Sequence, residues 1–312
     1  MPSLLMRSAA VLALASSALA QRVVEQTNPH ERVLSATVSV RAYAKENIKT
    51  RMPERSSFDF TSAAVVFPLP ESTASSLTKP QPELTGRLRL NDRVSDPGPG
   101  TLLSGDYPAG TRLGKWVIAS DWKGEEISLE VTLPATCYQT VYHEDLAMAL
   151  GWPAAWPSVA QSTFAPQYFV DTMPGGDGAE VASDMAAIKK MIDGWTAGKD
   201  PKSLKPAQLA KFLAGKVMES VQVSGDGLNY ARTGEVEGFN MQGAAETAKR
   251  GRGSQFDAIC VLAAVYRQAG IPCRTVIGWD VGEDKRDKKF LSRGNGTRGL
   301  RGWVEFALPD PS

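Results

Sequence analysis

The sequence predicts an α+β protein in which an N-terminal antiparallel β-sandwich-like domain precedes a helical domain that ends in β-strands. Three observations support this fold class. Apolar and polar residues alternate through the first part of the chain, a Trp-, Pro- and Gly-rich segment follows, and the apolar period then changes from two residues to about 3.6. The predicted divisions are a signal peptide at 1–20, the β domain at 21–150, a connector at 151–180 and the α+β domain at 181–312.

The β domain is predicted from period-two patterns between Arg32 and Tyr142. Pro- and Gly-rich clusters separate these patterns, as turns between antiparallel strands require. The alternating apolar positions are Leu34, Ala36, Val38, Val40 and Ala42, then Leu84, Leu88 and Leu90, and later Ile127, Leu129, Val131 and Leu133. We therefore expect several antiparallel strands with one apolar face, in a sandwich-like arrangement.

Three helices and two strands are predicted after the connector. The helical faces contain Val181, Met185, Ile188, Met191, Ile192 and Trp195 in the first helix, Leu209, Phe212, Leu213 and Val217 in the second, and Ile259, Leu262, Ala263 and Tyr266 in the third. Pro206 suits the start of the second helix. The third covers about 254–269 and ends at Gly270, with Pro272 just beyond. The strands are expected at Cys273–Trp279 and Gly302–Leu308.

The first twenty residues have the form of an export signal. Arg7 precedes a short apolar run from Ala9 to Ala15, and Ala18-Leu19-Ala20 provides a small-residue cleavage site. This run is too short to span a bilayer, and no later segment contains eighteen uninterrupted apolar residues. We therefore expect cleavage near Ala20, a periplasmic or extracellular mature chain, and no membrane span.

Charge and composition narrow the function classes. The formal net charge of +1 gives no indication of nucleic-acid binding. With two histidines in the chain, a histidine-rich metal site is excluded, and no cofactor is expected. The three cysteines lack the CxxC spacing of zinc or redox sites. They leave two alternatives open, which are one disulfide in an oxidising compartment or three ordinary buried thiols.

One stretch of motifs resembles a known family. Gly253, Asp257 and Arg267 are followed by Gly270-Ile271-Pro272-Cys273-Arg274, and Trp303-Val304-Glu305 comes later. Over about residues 205–308 this pattern is similar to the transglutaminase-like superfamily, whose papain-like core places a nucleophilic cysteine at the start of a central helix. The resemblance implies a papain-like α+β fold and, in active members, a Cys, a His and an Asp that act together.

The chain departs from the family at the catalytic positions. Alignment on Gly270 places Gln255 at the position of the family's cysteine, and Arg301 stands at that of the histidine. The family's Asp strand would lie beyond Ser312. A thiolate at a helix N-terminus is stabilised by the macrodipole and by a neighbouring imidazolium, whereas an amide has no ionisable nucleophile. Arginine, with a pKa above about 12, cannot act as a general base. No catalytic residue is therefore expected at these positions.

Three residues could in principle replace the missing nucleophile or base. Cys260 lies five residues beyond Gln255, about 140° around the helix and about 7.5 Å along it, which favours a core position over a catalytic one. Ser254 fits the Ser-x-x-acid pattern of a helix cap with Asp257 better than it fits an alcohol nucleophile. His143, with Glu144 and Asp145, is interpreted as a solvated loop, the alternative being a base that approaches from the β domain.

Basic residues surround the same positions, in 249–252 and in 285–301. They indicate a cleft for an anion or a partner, with Arg252, Ser254, Lys288, Arg301 and Trp303 as its candidate residues. The alternative interpretation is a solvated loop whose charges are partly offset by nearby acids.

Two function hypotheses follow. The first is an exported pseudoenzyme, a binding or scaffold module for a protein or an anionic glycan. The second is an active transglutaminase-like acyltransferase or cysteine-protease-like amidase with a non-standard nucleophile. A structural role for the β domain in a larger envelope assembly is a third option.

Overall fold

The computed structural model describes residues 22–46, 53–69, 72–78, 85–91, 93–94, 98–103, 112–118, 122–177, 179–230, 236–279 and 300–309. The predicted signal peptide and Lys288 lie outside these residues. The strands of the N-terminal part are β1 (Val24–Arg41), β2 (Tyr43–Glu46), β3 (Pro53–Arg55), β4 (Phe58–Phe60), β5 (Ala63–Leu69), β6 (Ser76–Thr78), β7 (Thr85–Leu90), β8 (Arg93–Val94), β9 (Gly98–Pro99), β10 (Thr101–Leu103), β11 (Arg112–Ile118), β12 (Trp122–Gly124) and β13 (Glu126–Tyr142).

Antiparallel pairing organises this part of the chain, as the sequence predicted. The long strand β13 pairs with β1 along one side and with β6 and β7 along the other, and β7 also pairs with β8 and β9. A second sheet has the order β10-β11-β5, and two short pairs join β12 to β4 and β2 to β3. The antiparallel strands are confirmed, whereas their sandwich arrangement stays a prediction.

A core of alternating residues links the two larger sheets. Leu129 and Val131 of β13 are fully buried and pack in one cluster with Phe67 of β5 and Trp116 of β11. The ring of Trp116 lies so close to Gly86 that a Cβ built there would be 2.3 Å from it. The glycine is therefore required by this indole. Burial of such aromatic and aliphatic groups is the main stabilising contribution to a β domain.

The remaining elements form the C-terminal part. They are α1 (Glu144–Ala149), α2 (Ser158–Ser162), β14 (Thr172–Pro174), β15 (Glu180–Ala182), α3 (Ala186–Trp195), a 3₁₀ turn (Pro201–Ser203), α4 (Pro206–Ser220), β16 (Gln222–Val223), β17 (Leu228–Tyr230), β18 (Val236–Phe239), α5 (Gly243–Arg250), β19 (Arg252–Gly253), α6 (Gln255–Gln268), β20 (Cys273–Trp279) and β21 (Leu300–Phe306).

Helix α6 is the central element of this part. It packs against α3, α4 and α5 and against the antiparallel pair β20–β21. Val261, Ala264 and Val265 have no exposed surface and join a core that includes Leu213 of α4 and Ile188 of α3. A helix surrounded on several sides carries apolar residues around most of its circumference, which is what the sequence of α6 shows.

Two local predictions were wrong. Val181 was assigned to the first helix, but it lies in β15, which pairs with β14, and α3 begins only at Ala186. The final strand was expected at Gly302–Leu308 but covers Leu300–Phe306. In both cases a partner strand sets the boundary, and a single-sequence pattern contains no information about that partner.

The segment 151–180 contains more structure than a connector. Helix α2 and strand β14 lie within it, and Val170 belongs to the core of the C-terminal part. The guanidinium of Arg267, at the end of α6, lies 2.8 Å from Asp171 Oδ2 and donates to the carbonyls of Phe164 and Ala165. This stretch therefore packs onto the end of the central helix.

Candidate active site: the start of helix α6

Ser254 caps the N-terminus of α6, as the sequence predicted. Its hydroxyl oxygen accepts from the Asp257 N–H at 3.1 Å, and the backbone N–H of Ser254 donates to Asp257 Oδ2 at 2.9 Å. The hydroxyl also donates to Asp257 Oδ2 at 2.7 Å. This reciprocal capping box satisfies N–H groups that a helix leaves without intrahelical partners. Ser254 is 6% exposed, so its hydroxyl belongs to the interior.

The Asp257 carboxylate organises the surrounding backbone. Its second oxygen, Oδ1, accepts from the N–H groups of Gln242 and Gly243, each at 2.9 Å. Together with the two bonds from Ser254, these contacts tie the start of α5 to the start of α6 around a residue that is 2% exposed. A buried carboxylate persists only when its oxygens are satisfied in this way.

Gln255 is the first residue of α6 and is half-buried. Its backbone N–H donates to the carbonyl of Gly225 at 3.2 Å. Gly225 and Gly227 both have a φ of +77°, and a Cβ at Gly227 would lie 2.5 Å from Ser254 Oγ. Only glycine fits this backbone conformation at so close an approach. The loop at 224–227 therefore lies directly against the start of the helix.

Strand β21 passes the same helix end. A Cβ at Gly302 would lie 2.5 Å from Ile259 Cδ1 and 3.1 Å from the Phe256 ring, so this face of the strand contacts the first turns of α6. Side chains alternate along a strand. The Arg301 side chain therefore lies on the strand face opposite the helix contact. In the backbone register, Arg301 pairs with Gly278 of β20.

Three comparisons with known proteins bear on this arrangement. A family model described as the transglutaminase-like superfamily matches residues 190–312. The C-terminal region has a transglutaminase-like fold. A solved structure named as a putative cysteine protease from Cytophaga hutchinsonii aligns with a TM-score of 0.50 and 11% identity, over 91% of this chain and 75% of that one. At this identity the likeness shows the fold alone. No curated protein matches the chain.

Three of the predicted site residues, Arg252, Ser254 and Gln255, lie at the start of the central helix. Gln255 stands at the mouth of the central helix, and the residue next to Arg301 touches that helix. Ser254 is engaged by Asp257. The exposed Arg252 belongs to β19, immediately before the helix. The interpretation of Gln255 and Arg301 as replacements for a cysteine and a histidine stays a prediction.

Cys260 lies in the core, as expected. It is 5% exposed, and burial, followed by the neighbouring carboxylates of Asp257 and Asp171, raises the pKa of its thiol to about 12. Cys273 is buried as well, and burial raises its pKa to about 12. Cys137 is half-buried in β13. All three are free thiols, which decides between the two alternatives that the sequence left open. A thiol with a raised pKa is a poor nucleophile at neutral pH.

His143 does not lie in a solvated loop, so that interpretation was wrong. It is the N-cap residue of α1, and Glu144 and Asp145 form the first turn of that helix. The imidazole is largely buried, and its Nε2 lies 3.4 Å from Glu25 Oε2 of β1. The loop prediction failed because a six-residue helix gives little periodic signal.

The predicted anion cleft receives limited support at the helix end. The N–H groups of Gln255 and Asp257 already have acceptors within the protein, and Asp257 adds a negative charge to the first turn. An anion here would depend on Arg252, because the Arg301 side chain lies on the strand face away from the helix. Lys288 lies outside the described residues.

Sequence reasoning missed several residues that hold the site. Gln242 donates through Nε2 to Thr247 Oγ1 at 3.0 Å and to the Arg252 carbonyl, which connects α5 to the segment before α6. Gly225 also had no local signal beyond its place in a glycine-containing loop.

Among the described residues, no His, Cys, Asp and Glu side chains group as a metal site would require. No helix in this part of the chain has the length and apolar character that crossing a membrane requires.

Proposed function

We propose that this protein is an exported binding module built on a transglutaminase-like domain that performs no thiol chemistry. The observation that carries the proposal is the position of Gln255, the first residue of the central helix, with its N–H bonded to the Gly225 carbonyl. Export is inferred from Arg7, the short apolar run after it and the Ala18-Leu19-Ala20 cleavage site.

The chemistry of acyl transfer needs a nucleophile and a base at this position. A carboxamide offers no ionisable group for attack on a carbonyl carbon. An arginine at the histidine position remains protonated and cannot accept the proton. Both functions are therefore missing at the positions that the family pattern assigns to them.

The backbone at the helix start supports the same conclusion. In acyl-transfer enzymes, the N–H of the nucleophilic residue often helps to bind the oxyanion of the tetrahedral intermediate. Here the Gln255 N–H is directed to the Gly225 carbonyl. A substrate oxyanion would have to displace this carbonyl from the Gln255 N–H.

The other hydroxyl and thiol groups near the helix start have structural roles. The Ser254 hydroxyl donates to Asp257 Oδ2 and caps the helix. The Cys260 thiol has a pKa of about 12 and lies among core residues. Neither group is prepared for attack on a substrate.

An amine-incorporation and peptide-hydrolysis assay tests this proposal. We expect the wild-type chain, incubated with a glutamine peptide and a primary amine, to give no product above a protein-free blank. The Ser254→Ala, Cys260→Ala and Cys137→Ala variants would give the same baseline. Wild-type turnover that Ser254→Ala or Cys260→Ala abolishes, while Cys137→Ala retains it, would contradict the proposal and support an acyltransferase or amidase with a non-standard nucleophile.

A further inference from the structure

The long strand β1 lies at the edge of the larger sheet. Within the described part of the chain it pairs with β13 alone, in one antiparallel register from His30 to Arg41. The Ala42 N–H donates to the Glu125 carbonyl, so the even-numbered residues before it direct their backbone groups toward β13. The odd-numbered residues therefore direct their N–H and carbonyl groups outward. They form an edge to which a further strand can be added.

The features that normally protect an edge strand lie outside the middle of β1. Natural edge strands carry charged side chains, prolines or bulges, which prevent pairing with another chain. In β1 the register shift lies between Thr27 and His30, next to Pro29. From position 33 to position 40, the sequence VLSATVSV contains no charge and no proline. Because it is also rich in β-branched residues, this segment is well suited to further strand pairing.

Side chains of this segment are exposed on both faces of the sheet. Leu129 and Ile127 of β13 are buried. Their partners in β1, Val38 and Val40, lie on the same face of the sheet but are 36% and 49% exposed. The core between the two larger sheets therefore ends before it reaches β1. Thr37, on the other face, is exposed as well. A strand placed beside β1 would extend the apolar face outward and cover the two valines.

We propose that β1 forms a symmetric dimer interface, in which a second copy of this chain adds its own β1 antiparallel to the first, with the two-fold axis at Thr37. In this register Thr37 pairs with its own copy, Ser35 with Ser39, Ala36 with Val38 and Leu34 with Val40. Hydroxyl residues thus pair with hydroxyl residues, and apolar residues with apolar ones. A two-fold interface requires such self-complementarity, because both copies present the same surface.

A second copy fits this edge better than a foreign strand does. Backbone hydrogen bonds supply much of the affinity when a strand is added to a sheet edge, so the side-chain match selects the partner. Two copies of an uncharged segment place no like charges opposite each other. The joined sheet would continue from β7, β13 and β1 of one copy into β1, β13 and β7 of the other. Since each copy contributes a single strand, the interface is small, and we expect a weak dimer that depends on concentration.

Sedimentation velocity of the full mature chain tests the proposal. Between about 1 μM and about 1 mM, the wild-type chain is expected to change from monomer to dimer. Thr37→Lys places two like charges opposite each other at the axis and is expected to weaken dimerisation about fivefold. Thr37→Glu is expected to have the same effect. An equal mixture of the two variants pairs opposite charges at the axis, and we expect it to dimerise at least as well as the wild type.

Ser220→Lys is the matched control. It adds the same charge at an exposed position at the end of α4 and is expected to change the dimerisation constant less than about twofold. A wild-type chain that stays monomeric over the whole range would overturn the proposal and leave this edge to a foreign strand. A dimer that neither Thr37 variant weakens, or a mixture no more dimeric than its components, would place the interface elsewhere and overturn it too. The turnover assay, and with it the proposed function, does not depend on these outcomes.

Discussion

Asp257 supports the start of α6 through four hydrogen bonds to two separate segments. Ser254 contributes two donors, and the N–H groups of Gln242 and Gly243 contribute the others. The family resemblance implied an Asp at this position, and the capping pattern with Ser254 was visible in the sequence. The contacts to Gln242 and Gly243 were not visible, because they join residues 14 and 15 positions apart.

Replacing Asp257 by Asn is expected to destabilise the protein strongly. An amide would direct an NH₂ group toward donors and leave buried N–H groups without acceptors, at a cost of about 3 kcal/mol. Ser254→Ala removes one cap and is expected to cost about 1 kcal/mol. Urea denaturation measures both values. Glu246→Gln, which alters a surface ion pair with Arg250, is the control and should change the unfolding free energy by less than about 0.5 kcal/mol. An Asp257→Asn variant as stable as this control would contradict the assigned role.

At the level of elements, the contact between β21 and α6 depends on Gly302. This residue occupies the position between Arg301 and Trp303, and its missing side chain lets the strand approach Phe256 and Ile259. The sequence predicted α4, α6 and β20 well because their apolar periods and end signals agree. It could not predict the closeness of β21 to the helix, since that distance depends on how two distant segments pack.

Two glycine substitutions distinguish the effect of close packing on stability from that of helix propensity. Gly302→Ala is expected to lower the unfolding free energy by about 1–3 kcal/mol, because the methyl group would overlap with Ile259 and Phe256. Gly215 lies exposed within α4, where a Cβ meets nothing within 4 Å. Gly215→Ala is therefore expected to raise the unfolding free energy by about 0.5–1 kcal/mol. Thermal and urea denaturation would show opposite signs for the two variants, and equal signs would contradict this packing.

For the whole molecule, we propose that the C-terminal folding unit begins near Glu144 and not at residue 181. Arg267 is nearly buried and binds Asp171, Phe164 and Ala165, all within the predicted connector. Trp152 Nε1 donates to the Leu204 carbonyl at 2.8 Å. Composition marked this segment as a linker because it is rich in Trp, Pro and Gly, but Val170 belongs to the core of the C-terminal part and Trp152 packs against it.

Two fragments test this boundary. The fragment 144–312 is expected to unfold cooperatively, whereas 181–312 would leave the Arg267 guanidinium buried without its partners and should not fold. Circular dichroism during heating compares them directly. A cooperative transition of 181–312 at the same temperature as 144–312 would contradict the proposed boundary.

We propose that position 255, the first residue of α6, corresponds to the family's nucleophile and holds a carboxamide in this protein. The thiol pKa of a Gln255→Cys variant, compared with that of Gln268→Cys at the other end of α6, tests this assignment. The pH dependence of alkylation in a Cys137→Ala background measures both pKa values. The macrodipole lowers a thiol pKa at a helix N-terminus and raises it at the C-terminus. We predict a pKa below the ordinary value of about 8.5 at position 255, and about one unit or more below that at position 268. A thiol at 255 that is no more acidic than the thiol at 268 would contradict the assignment.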